Sequence, residues 1–209
     1  MKKRLTLVSE ILFYGAVWGF LEATLGYLLH TLPTLISGSI MFPIGAFIIL
    51  RMYLKNQSKS AAVLVGVIAA AIKAFDFFLP MPIQGPIKIL NPMLCIVLET
   101  VLVVAVIPLL SKNTTITNLV MLPIASTAWR IIFVLLMFLI QGTAPKQIQT
   151  MDEALSFFVY NNLFSGILAT GLYYLNRLFI GKWNFKWTKQ PIFASIMFGI
   201  AVTATLIFA

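Results

Sequence analysis

Long apolar stretches alternate with short polar ones along this chain, and the apolar stretches are long for the helices of a soluble core. A bilayer core takes about 20 apolar residues per crossing helix. Seven segments meet that length: 9–30, 36–54, 60–80, 90–110, 117–141, 154–177 and 190–209. Each is read as a helix, because a helix satisfies its own backbone polar groups in lipid. Pro43 inside the second segment fits this reading, since neighbouring helices can take up the carbonyl it frees. The last segment carries no ionisable residue and stops at the chain end. The pattern therefore predicts an all-α polytopic integral membrane protein, six to seven helices in one bundle and one domain over residues 1–209.

The polar segments between the helices set an orientation. One side collects Lys2, Lys3, Arg4, Arg51, Lys55, Lys59, Lys112, Arg177, Lys182, Lys186 and Lys189, which is 11 basic residues; the other collects Lys88 and Lys146. Cytoplasmic loops carry the excess of Lys and Arg, so the N-terminus is expected in the cytoplasm and the protein in the cell membrane. The apolar run from Ile11 to about Leu32 exceeds the length of a signal-peptide core. It is read as a retained first helix. Two stretches on the other side, Leu79–Pro92 and Gln141–Glu153, are expected as loops able to cap a site.

Composition sharpens this picture. The 209 residues are 60% hydrophobic and 10% charged, against about 45–50% and about 25% in soluble domains. Mean hydropathy is +0.98, which excludes a soluble globular domain and, with it, intrinsic disorder. The net charge of +9 would point to nucleic acid in a soluble chain. Phe179–Gln190 (FIGKWNFKWTKQ) does interleave Trp183, Phe185 and Trp187 with Lys182, Lys186 and Lys189. Lying between two apolar spans, it reads instead as an anchor beside anionic headgroups, and no nucleic-acid partner is expected.

Ionisable residues inside spans are functional candidates by default. Here they are Glu22, Lys73, Asp76, Glu99 and Arg130, joined by the pair Asn161 and Asn162. Most fall in the half of the membrane away from the N-terminus, with Glu99 and Arg130 near the middle. A polar layer biased to one side suggests a cavity open to that side. The structural alternative is internal pairing: Lys73 with Asp76 at i,i+3, and Glu99 with Arg130 as a buried salt bridge. Three carboxylates against two cations leave one acid over.

Catalytic and metal signatures are sparse. The sequence has neither G-x-S-x-G nor H-E-x-x-H and no Walker A motif. It is therefore read as a non-enzyme that binds no ATP. Cys95 and His30, the single cysteine and single histidine, are the weak metal candidates. Cys95 shares a helix face with Glu99, and a lone soft ligand suits at most a metal that already holds its others, such as a corrinoid cobalt. No cofactor is expected. Gly15-x-x-x-Gly19-x-x-x-Ala23 in the first span presents a flat face for close helix packing, either against a helix of this chain or against a separate membrane subunit.

In size and layout the chain resembles the substrate-binding (S) components of energy-coupling factor vitamin transporters, with Trp18–His30 (WGFLEATLGYLLH) and Asn91–Glu99 (NPMLCIVLE) as the stretches that look similar. The resemblance covers the first six spans, about residues 9–177, and leaves the seventh as an extra. It implies capture of a small nutrient from the outer face, with a membrane coupling subunit and two ATPases as partners. It implies that Glu22, Asp76, Glu99, Arg130, Asn161 and Asn162 make polar contacts and that Trp18, Tyr27 and Tyr160 offer stacking surfaces. It further implies docking through Gly15, Gly19 and Ala23, although the family's usual spacing there uses alanines. The alternatives are a non-transport accessory or assembly protein and an intramembrane lipid-modifying enzyme.

Overall fold

A computed structural model describes residues 2–30, 37–79, 85–110, 115–179 and 185–208. Lys112, Lys182, Trp183 and the stretch 80–84, as well as the side chain of His30, lie outside the described residues. α1 (Lys2–Leu21) runs through a π turn (Glu22–Gly26) into α2 (Tyr27–His30). α3 (Ser37–Asn56) and α4 (Lys59–Lys73) follow, the latter tightening into a 3-10 turn (Ala74–Phe78). Then come α5 (Ile87–Leu110), α6 (Thr115–Gln141) and α7 (Met151–Leu155). A second π turn (Ser156–Tyr160) joins α7 to α8 (Asn161–Phe179), and α9 (Pro191–Phe208) is the last helix. Among the described residues there is no strand.

Among the described residues, seven helical units are long and apolar enough to cross a bilayer. The chain is a multi-pass membrane protein built as an all-α bundle. The seventh unit, Pro191–Phe208, is itself of crossing length. Boundaries moved for identifiable reasons. α5 begins at Ile87, so Pro92 lies inside a helix rather than ending a loop. The sixth unit begins at Met151, because Thr150 and Glu153 form a reciprocal capping box that satisfies the first free backbone N–H groups. Both expected capping loops are thereby shorter than the sequence pattern suggested.

Successive crossing helices alternate in direction. Glu10 of α1 meets Lys55 of α3 at 2.8 Å, and the Tyr173 hydroxyl of α8 donates to the Leu110 carbonyl of α5 at 3.4 Å. These residues mark the face that carries the N-terminus. α3 is central and packs on α4, α5 and α8, while α6 closes the ring between α5 and α8. α9 stands outside this ring against α1. Its contact there is a small separate cluster of Ala16, Ile72 and Ala201 with Phe20, Met197 and Phe198.

Small residues decide how closely the helices approach. Lipid tails are as apolar as leucine, so close van der Waals packing rather than hydrophobic burial holds the helices together. A Cβ at Gly15 would lie 2.7 Å from Ile68, and one at Gly19 would lie 2.8 Å from Ile72, both on the α4 side. A Cβ at Gly45 would lie 2.5 Å from the buried Trp18 ring, and one at Gly66 would overlap Thr100. The face of Gly15, Gly19 and Ala23 is thus filled from within: α4 covers both glycines, and Ala23 is buried. It cannot serve as an open docking face for a separate subunit.

A charged knot ties α1 to α3 near the N-terminal face. The Glu10 carboxylate is 1% exposed yet pairs with Lys55 and accepts from Asn56 Nδ2 at 3.1 Å. Sequence reasoning passed over Glu10, although a short link between the first two spans brings residues 10 and 55 to one face.

Candidate functional site

The centre of the candidate site is Arg130 of α6, whose side chain is fully buried. The sequence places hydroxyl and aromatic residues one turn and one residue before it. Its Nη1 donates to the Ser126 carbonyl at 3.1 Å and to Ser126 Oγ at 2.6 Å. Its Nη2 donates to Ser39 Oγ of α3 and to the Asn161 carbonyl of α8, each at 3.4 Å. Three helices therefore converge on one guanidinium. Its Cζ lies over two aromatic rings, 4.7 Å from the Trp129 centroid and 5.3 Å from the Phe157 centroid, and these rings stand 6.1 Å apart at 85° to each other. Phe42 stacks on Trp129 at 6.4 Å.

The second π turn builds half of this box. A π turn is rare and recurs at functional sites. Here it carries Phe157 inward, and Asn161 Nδ2 reaches back across it to Ser156 Oγ at 3.3 Å. Asn162 Nδ2 donates to Thr127 Oγ1 of α6 at 2.7 Å, one turn below Arg130. The first π turn begins at Glu22, whose carboxyl lies along the helix over Gly26.

One carboxyl group, that of Glu99, lies near the arginine without pairing to it. Arg130 has no carboxylate within 4 Å among the described residues, so the expected Glu99–Arg130 salt bridge is not formed. Arg130 is held by Ser126, Ser39 and the Asn161 carbonyl instead. Glu99 is buried and lies within Coulombic reach of both Arg130 and Glu22, and Glu22 within reach of Lys73. Lys73 and Asp76 do pair, at 2.6 Å, as their spacing predicts. Glu22 and Glu99 thus remain as acids with no ion pair among the described residues.

The structure gathers part of the expected set and disperses the rest. Arg130 and the Asn161 carbonyl meet directly, Asn162 binds Thr127 on the same helix as Arg130, Glu99 lies within Coulombic reach of Arg130, and Glu22 within reach of Glu99. Asp76 is buried against Lys73. Trp18 is fully buried as the ring that fills the notch at Gly45, so it is a packing residue and offers no stacking surface. Tyr160 is 69% exposed, because it sits on the outer side of its π turn, and Tyr27 points out towards Phe208 at 5.8 Å. Cys95 is half-buried, and among the described residues no three His, Cys, Asp or Glu side chains form a group able to hold a metal ion. Missed at the sequence level were Ser39, Ser126, Thr127, Trp129 and Phe157. Ser126 at i−4 from Arg130 on one helix was the available signal.

A small cavity of about 30 Å³ lies elsewhere, at the N-terminal face, lined by Leu50, Tyr53, Leu54, Ile107, Leu110 and Tyr173. The aromatic part of the expected anchor is also at that face, where Trp187 sits 5.1 Å from Phe13 and 5.4 Å from Phe185.

No family model, no curated protein and no solved structure matches this chain.

Proposed function

We propose that the protein is a membrane-embedded binding subunit that captures a small nutrient, taken up from the side opposite its N-terminus. Transport itself would be driven by partner subunits that bind ATP, as in the energy-coupling factor transporters whose S components the layout resembles. One observation carries this reading: a buried guanidinium beside Trp129 and Phe157, with no carboxylate within 4 Å among the described residues and one unpaired acid, Glu99, within Coulombic reach. A bundle that needed Arg130 only for stability would gain by pairing it, since an ion inside lipid is costly unless compensated. In this reading Glu22, Glu99, Arg130, Asn161 and Asn162 face the captured molecule. A coupling subunit docks on a surface other than the glycine face of α1, which α4 occupies.

The test is native mass spectrometry of the tagged protein, gently extracted from membranes of its own host. The expected result is a bound small molecule, or copurifying ATPase and membrane subunits. A bare protein under conditions that retain lipids would sink the reading. The complete burial of Arg130 favours a second reading, an accessory protein whose polar layer only holds its own helices. That reading expects the bare protein.

A further inference from the structure

Two N–H groups in the Arg130 box have no acceptor among the described residues. They are Arg130 Nε and the indole Nε1 of Trp129, on side chains 0% and 2% exposed. Buried donors are almost always paired, and one left bare costs about 1–3 kcal/mol, more when charged. The two come from adjacent residues, and the guanidinium lies over the indole ring. Both lack the same thing, a hydrogen-bond acceptor, and one of them carries a positive charge that no carboxylate among the described residues neutralises within 4 Å.

We propose that this box is the seat of an anionic group, a carboxylate or phosphate, carried by the captured molecule. The proposal rests on the binding-subunit reading and names its substrate class. Arg130 would offer its remaining Nε–H as a charge-assisted bond, the strong kind in a desolvated site. Ser126, Ser39 and the Asn161 carbonyl already hold the Nη groups and keep the guanidinium plane fixed. Phe157 and Trp129 flank it at right angles to each other, and the Nε edge is the part of it left without a partner among the described residues. The Oδ1 of Asn162, the residue after Asn161 on α8 and without a partner among the described residues, gives a donor on the same molecule a place to bind. An anionic lipid headgroup carries the same chemistry, and the experiment separates the two sources.

The full-length protein in phosphatidylcholine nanodiscs is titrated with benzoate and, separately, with benzamide, its uncharged isostere, and thermal unfolding is followed. Benzoate is expected to raise the unfolding midpoint saturably while benzamide does not. In R130Q the concentration for half the effect should rise at least about tenfold. W129F, which removes the second donor but leaves the charge, should weaken benzoate to a smaller degree and serves if R130Q does not fold. Equal responses to benzoate and benzamide overturn the proposal, as does a benzoate response unchanged in both variants. In those cases a small molecule found by native mass spectrometry would leave the capture reading standing. Repeating the titration in phosphatidylglycerol nanodiscs identifies the source. Loss of the benzoate response there means that a lipid headgroup fills the box, which keeps the anion seat and removes the nutrient. A benzoate response that persists keeps both.

Discussion

A buried arginine at the centre of a crossing helix costs about 3 kcal/mol on insertion scales. Arg130 offsets part of this through bonds to Ser126, Ser39 and the Asn161 carbonyl and through the two rings its Cζ lies over, while its charge and its Nε–H stay unpaired among the described residues. Neighbours as small as a serine hydroxyl thus make the residue tolerable. Single atoms matter equally at the glycines. Gly66 faces Thr100 so closely that a methyl group has no room, whereas Gly199 has nothing within 4 Å of the place its Cβ would occupy. Overpacking of this kind costs about 1–3 kcal/mol, while alanine in an open helix position is favoured over glycine by up to about 1 kcal/mol. Gly66→Ala should therefore lower the unfolding midpoint in detergent, and Gly199→Ala should leave it unchanged or raise it. Equal shifts in the two variants would contradict the α4–α5 packing described above.

At the scale of helices, the seven crossings were legible in the sequence because hydropathy and length are properties of one segment at a time. The Lys73–Asp76 pair was legible too, since i,i+3 spacing on one helix fixes the geometry. What the sequence hid depends on which helices are neighbours. Glu99 and Arg130 share a depth, yet beyond its own Ser126 it is α3 and α8 that supply Arg130's partners, and no period in either helix encodes that. The π turns leave no mark on the apolar pattern, so the outward turn of Tyr160 and the inward turn of Phe157 could not be foreseen. The role of the glycine face was readable as close packing but not as packing within the chain. The separate cluster that holds α9 to α1 carries a prediction of its own. A chain ended after Lys189 should keep the other six crossings folded, giving a monodisperse species with a single cooperative unfolding transition. Aggregation of that shortened chain, with the full chain well behaved, would show that α9 completes the core.

For the whole molecule, an odd number of crossings puts residues 4 and 208 on opposite faces of the membrane. Tags at the two ends should be cleaved from opposite sides of sealed vesicles, and the basic residues predict that the N-terminal tag is the cytoplasmic one. Cleavage of both tags from one side would mean that one of the seven helices does not cross. The same arrangement gives the bundle two unlike ends. The N-terminal face is locked by Glu10, Lys55 and Asn56 and backed by aromatic residues around Trp187. The half beyond it holds the arginine box and both π turns. Any movement that admits a molecule is thus expected at the far end, where wide turns replace regular helix.

The stretch from Ser156 to Tyr160 advances along its axis with one residue more than an ordinary helix would need. In a chain shorter by one residue there, everything between Met151 and the turn would rotate by about 100° relative to α8. A different ring would then meet the guanidinium, or none. The identity of the aromatic wall is therefore set by the count of residues as much as by their kind, and an insertion or deletion at this point would remake the site without touching Arg130.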